Sequence, residues 1–280
     1  MHFTQTKTIL SAKNGINLYR GCSHGCIYCD SRSACYQMDH PFEDVAVKEN
    51  GLALLEQALR RKKRPCMIGF GSMSDPYMHC EKELGYTRKA LELVEEYGFG
   101  VTLITKSDLI LRDLDLLARI NEKTKAVVQI TMTTYDEDLC RILEPNVCTT
   151  KRRYEVLKAC RERNIPTVVW LCPILPYIND TDANLRGILN YCRDAGVRDI
   201  LNFGFGLTLR EGNREYFYEK LDRHFPGMKE QYIRRFGDAY VCPSPREEKL
   251  RTILGEQRKP EEIFAYLNDF PEKYEQMRLV

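Results

Sequence analysis

The feature that most constrains the fold is a repeated alternation of apolar strand-like runs with amphipathic helical stretches. Residues 8–19 hold the first strand; 66–71, 101–105, 126–131, 167–171 and 199–203 hold the next five. Helices are expected over 50–61, 83–97, 109–120, 137–143, 150–163 and 182–195. In the second of these, Leu84, Ala90, Leu91 and Val94 form one apolar stripe and Gly98 ends it. Six strand–helix units in succession require parallel strands joined by right-handed crossovers. Two closures satisfy that pattern: an open doubly wound sheet or a partly closed barrel. In both, the functional loops follow the C-terminal ends of the strands. After Gly206 the pattern turns helical and charged.

The loop after the first strand carries chemistry. Cys22, Cys26 and Cys29 are spaced C-x3-C-x2-C, between Gly21 and Asp30. Three thiolates this close converge on a soft metal centre, and Gly21 and Gly25 let the backbone turn tightly around it. Three buried structural thiols are a poorer account of such clustering. Zinc would need a fourth ligand, from Cys35, His24 or a distant cysteine, and the chain has no second C-x2-C pair. An iron–sulfur cluster on three cysteines leaves one iron without a protein ligand, a site for a substrate or cosubstrate.

Charge excludes less than it might. Lys and Arg number 42 against 40 Asp and Glu, a net charge of +2, so no strong field draws the chain to nucleic acid or to an anionic membrane. The basic run at residues 60–64 reads as a solvated helix end before Pro65. Neither a secretory h-region nor an apolar run of membrane-spanning length is evident. Twelve cysteines, mostly scattered singly, suggest reduced thiols in a cytoplasmic compartment.

The C-x3-C-x2-C motif with Tyr28 before its last cysteine resembles the signature of radical S-adenosylmethionine (SAM) enzymes. The surrounding run is similar to the branch that includes spore photoproduct lyase and the related DNA repair photolyase-like proteins. Ser74-Asp75-Pro76, Thr105-Lys106 and Glu144-Pro145 match short motifs of that branch. The resemblance implies a partial (β/α)6 TIM-like barrel over 1–210, with a helical C-terminal extension over 211–280 packed on it. It implies a [4Fe-4S] cluster on Cys22, Cys26 and Cys29, its open iron chelating SAM. It implies reductive cleavage of SAM to a 5′-deoxyadenosyl radical that takes a hydrogen from substrate. Tyr28 would pack near the adenine, while Ser74, Lys106 and Thr131 fall at SAM contacts, Thr131 standing for the family's serine. A one-electron reductant such as flavodoxin or ferredoxin is implied as partner.

The sequence also departs from that branch. Ser72 stands where the lyase has its hydrogen-donating cysteine, and Asp30 stands where it has a tyrosine. Cys80, Cys140 and Cys172 are alternative thiols, each more economically read as a buried apolar residue. The substrate is therefore unidentified, with nucleic acid one candidate. Two other readings remain open: a DNA-lesion repair lyase, and a non-catalytic metal- or cluster-binding interaction protein. Gly204 to Gly206, His24 and Tyr177 are weaker site candidates.

Overall fold

The computed structural model describes residues 1–271. The N-terminal part holds β1 (His2–Thr4), β2 (Gly15–Ile16), β3 (Tyr19–Arg20), β4 (Ala46–Lys48) and α1 (Gly51–Arg61). There follow β5 (Met67–Phe70), α2 (Glu81–Leu84), α3 (Tyr86–Glu96), β6 (Gly100–Thr105), α4 (Leu114–Lys123), β7 (Ala126–Thr131), α5 (Glu137–Leu143) and α6 (Thr150–Glu162). Then come β8 (Thr167–Trp170), α7 (Asp182–Asp194), β9 (Asp199–Leu201) and β10 (Gly206–Thr208). The last elements are α8 (Asn213–His224), α9 (Met228–Phe236), β11 (Val241–Pro243), α10 (Glu247–Leu254) and α11 (Pro260–Asn268).

Six strands form one parallel sheet in the order β2-β5-β6-β7-β8-β9. The order follows the sequence, as in a partial barrel, and the sheet does not close on itself. Side chains alternate across it with period two. Ile68, Val101, Leu103, Val128, Ile130 and Val169 are buried in the main core, which also holds Leu55, Leu91, Val94, Leu116, Leu117, Leu157 and Ile188 from the surrounding helices. The opposite set lines the inside of the curve. Near its floor are Val127, Val168 and Leu201. Above them Trp170 Nε1 donates to Gln129 Oε1 at 2.7 Å, and Gln129 Nε2 donates to Thr102 Oγ1 at 2.7 Å.

The floor is covered by α11. Ile263 and Leu267 pack on Val127, Val168 and Leu201. Phe264 stacks on Phe203, centroids 6.0 Å apart, and meets Trp170 edge-on. Lys125 Nζ donates to the Asp269 carbonyl at 2.9 Å and to that of Tyr266, a cation where the helix dipole favours one. The helix touches both β5 and β9, bridging the two sides of the sheet.

Several elements differ in detail from the periodicity. The first strand is two short pieces, β2 in the main sheet and β3 paired with β4. The helix expected over 83–97 breaks at Gly85, because the Thr87 N–H turns to the buried Glu81 carboxylate at 2.8 Å instead of continuing from α2. Residues 108–113 form a tight 3-10 turn before α4, drawn in by the buried Asp113, which accepts from Arg88, Arg112 and Tyr77. Beyond Gly206 the chain is not helical throughout: β10 pairs antiparallel with β11 across the expected boundary at 210. Each strand has three residues, too short for a periodic signal.

Candidate active site

The cysteine loop enters between β3 and the 3-10 turns that follow it, and it is gripped from two sides. Gly21 has φ +84°, and a Cβ there would stand 2.5 Å from the Phe42 carbonyl oxygen, which accepts from Cys22 N–H at 2.9 Å. Only glycine allows that approach. On the other side the segment after α5 braces the loop. Leu143 O accepts from Ile27 N–H at 3.0 Å, Asn146 N–H donates to His24 O at 3.1 Å, and Asn146 Nδ2 donates to Ser23 O at 3.0 Å. All described cysteines are free thiols. Burial pushes the Cys22 thiol up to about 12 and drives Cys26 higher still. Burial also lowers the His24 imidazole below its ordinary value, against the opposing charge of Asp75.

The loop faces the C-terminal ends of the strands across a cavity of about 610 Å³. Cys22, Cys26, Cys29, Tyr28, Ser74, Lys106 and Thr131 all line it. The seven residues expected at the site are thus brought together from the cysteine loop, the segments after β5 and β6, and the end of β7. Gly204, Phe205 and Gly206 also line it, as does His24. Of the three alternative thiols only Cys172 faces the cavity. Cys140 is turned toward Glu144 and Thr150. Cys35 is exposed, with its sulfur 3.3 Å from Arg210 Nη1, and does not line the cavity.

Each polar group has a defined state. Ser74 Oγ donates to Tyr19 O at 3.0 Å, so toward the cavity it offers lone pairs rather than a proton. The Tyr28 hydroxyl donates to Glu144, which fixes the ring on the cavity wall. The Lys106 ammonium lies 6.0 Å from the Tyr28 ring centroid and has no hydrogen-bonded or ionic partner among the described residues. Burial alone would lower its pKa; the cysteine loop and Glu144 outweigh that and hold it protonated.

Two residues that sequence reasoning passed over hold this arrangement. Asp75 Oδ1 accepts from Tyr77 N–H at 2.8 Å and Thr105 Oγ1 at 2.7 Å, while Oδ2 accepts from Lys106 N–H at 2.8 Å. His24 Nδ1 lies 3.5 Å from the same oxygen. On the far side, Arg153 donates through Nε to Lys106 O at 3.0 Å and through Nη1 to Thr131 O at 3.1 Å. Its Nη2 is 2.6 Å from Glu144 Oε2, both side chains being fully buried. The Lys106 peptide is therefore held at both its N–H and its C=O. Asp75 was visible only as the middle of a short motif. Arg153, beside Arg152 near the start of α6, carries no signal that separates it from a solvated helix charge.

The donor set can be tested against the group the motif implies. Among the described residues no three His, Cys, Asp or Glu side chains converge closely enough to hold a single metal ion. A mononuclear zinc site needs that convergence. A cuboidal cluster does not, because its thiolates take separate irons around a larger core. The three cysteines and the unpartnered Lys106 that line one cavity fit a cluster with an anionic amino-acid moiety beside it.

A family model for the radical SAM superfamily matches residues 16–189. The chain belongs to the radical SAM superfamily. Among related sequences, an uncharacterized protein of Mycobacterium tuberculosis is 30% identical over 254 residues, covering 87% of this chain and 74% of its own. Among solved structures, spore photoproduct lyase complexed with dinucleoside spore photoproduct superimposes with a TM-score of 0.61 at 14% identity, over 95% of this chain and 78% of the lyase. The radical SAM methyltransferase TsrM of Kitasatospora setae, with cobalamin and a [4Fe-4S] cluster bound, gives 0.55 at 14% identity, over 82% of this chain and 46% of that one. The radical SAM fold, with its partial barrel, is thereby shown, and the chain is an enzyme of SAM-dependent radical chemistry. Membership implies a [4Fe-4S] cluster and SAM as its cofactors. No helix among the described residues is long and apolar enough to cross a membrane.

Proposed function

We propose that this radical SAM enzyme holds its [4Fe-4S] cluster on Cys22, Cys26 and Cys29 and its SAM on Lys106, Ser74, Thr131 and Tyr28, and abstracts a hydrogen atom from a substrate bound in the same cavity. The observation that carries the reading is the convergence of all seven side chains on one cavity at the C-terminal ends of the strands. Cluster and SAM together supply, on one-electron reduction, the carbon radical that takes the hydrogen.

The chain's own residues divide the remaining work. Lys106, a cation without a partner, pairs with the methionine carboxylate. Ser74 accepts from the methionine amino group with the lone pairs its bond to Tyr19 O leaves free. Thr131 adds a hydroxyl from the next strand, and the Tyr28 ring offers a flat apolar face to the adenine. Phe203, Trp170 and Leu207 give the same cavity apolar lining.

The lesion-lyase reading is weaker. Ser72 lies on the cavity wall where that chemistry wants a thiol, and its oxygen accepts from Asn17 Nδ2 at 3.2 Å. A hydroxyl is a far poorer hydrogen-atom donor than a thiol. Flavodoxin or ferredoxin in a cytoplasmic setting is the electron source this chemistry calls for. The test is anaerobic: reconstitute with iron and sulfide, reduce with dithionite, add SAM and assay 5′-deoxyadenosine. Product above a Cys26→Ala control is expected. A well-formed cluster that neither cleaves nor binds SAM would refute the reading.

A further inference from the structure

We propose that Arg153 is a positioning residue which, by holding Glu144 in a buried ion pair, keeps the Lys106 ammonium free to take an anionic ligand in the cavity. The inference rests on the proposed function only for the identity of that anion, the carboxylate of SAM.

The argument starts from the carboxylate. Glu144 is fully buried, so both its oxygens need partners. Oε2 faces Arg153 Nη2 at 2.6 Å, and Oε1 accepts the Tyr28 hydroxyl. Oε2 also takes the Cys140 thiol at 3.6 Å, so both oxygens are already engaged. Lys106 Nζ lies over the Tyr28 ring, 6.0 Å from its centroid, close enough that its charge and that of Glu144 act on each other. One anion thus feels two cations, and the guanidinium is paired with it.

Arginine suits this position for a geometric reason. Its fork bonds the carbonyls at the ends of β6 and β7 with Nε and Nη1 while Nη2 meets the carboxylate. The same side chain therefore fixes where Lys106 and Thr131 start from and removes the competitor for the Lys106 charge. Without Arg153, Glu144 would be a buried carboxylate facing one remaining cation. Attraction in such a dry setting is strong. Lys106 would close on Glu144 and the cavity would lose its anion-binding charge.

Two readouts test this. The first is SAM affinity of the anaerobically reconstituted protein, measured by equilibrium dialysis. Arg153→Met should weaken it at least tenfold. Arg153→Met with Glu144→Gln should recover most of that loss, because no carboxylate then competes for Lys106. If the double variant binds as weakly as the single, Arg153 is scaffolding only and the proposal fails. The second readout needs neither cluster nor SAM: reductive methylation of Lys106 in the cluster-free chain, followed by mass spectrometry. Lys106, held protonated, should label slowly in the wild type, more slowly still in Arg153→Met and faster than either in the double variant. Equal labelling in all three would overturn the proposal even if SAM binds to none of them, a result that would instead count against the proposed function. Should Arg153→Met not fold, Arg153→Lys keeps the charge beside Glu144, so Lys106 should label as fast as in the wild type; slower labelling in Arg153→Lys would overturn the proposal.

Discussion

Asp75→Asn is the sharpest single perturbation of the site's frame. The substitution keeps shape and volume but replaces one carboxylate oxygen by an NH2 group. Asp75 accepts three hydrogen bonds, from Tyr77 N–H, the Thr105 hydroxyl and Lys106 N–H, at 2.7–2.8 Å. With the amide oxygen toward Tyr77 and Thr105, the NH2 confronts Lys106 N–H. With the amide flipped, it confronts Tyr77 N–H. Either way one bond to a charged acceptor is lost and a donor faces a donor. Bonds to charged groups contribute about 1.5–3 kcal/mol, so a loss of about 2 kcal/mol is expected. At about 2–4 °C per kcal/mol for a chain of this size, Tm should fall by about 4–8 °C. The second consequence is local. The Lys106 peptide loses its hold at one end while Arg153 still holds the other, so SAM affinity should drop by about tenfold, or about 1.4 kcal/mol. Thermal unfolding of the cluster-free chain and equilibrium dialysis with SAM read the two effects separately. A Tm within about 1 °C of wild type, together with unchanged SAM affinity, would refute the view that Asp75 ties the ends of β5 and β6 together.

Three further outcomes are expected. Replacing Cys22, Cys26 or Cys29 by Ala should abolish bound iron and acid-labile sulfide, whereas Cys35→Ala should leave both unchanged; loss of the cluster in Cys35→Ala would overturn the three-cysteine assignment. Lys106→Met should leave iron and sulfide intact and weaken SAM binding at least tenfold, measured by dialysis. Leu267→Ala in α11 should cost about 2–5 kcal/mol, the range for a buried leucine, with urea unfolding as the measure; a change below about 0.5 kcal/mol would show that the floor of the barrel does not depend on this helix.

Much of this was legible in the sequence for identifiable reasons. The strand–helix alternation announced parallel strands, and the C-x3-C-x2-C loop announced a metal centre, because both are dense local signals. The two closures could not be separated by periodicity, since strands buried on both faces read as continuous apolar runs in either fold. Gln129 is instructive. It sits in the apolar run of β7, and the structure shows why it is tolerated: it bridges Thr102 and Trp170 across the inner face. Arg153 escaped notice because a buried arginine and a solvated one look alike in a helix that carries cations on several faces. Strands β10 and β11 escaped because each is three residues long and its partner lies across two intervening helices.

The position of α11 bears on how such a chain is made. The cysteine loop and all six strands of the main sheet are synthesised well before Pro260, so a nascent chain can assemble the cavity mouth early. Until α11 arrives, Val127, Val168 and Leu201 form an open apolar trough at the other end. The contacts that close it are among the longest in sequence separation in the molecule, and such contacts form late. A chain stalled in that interval would present the trough to its neighbours, and that is the surface through which we expect it to aggregate.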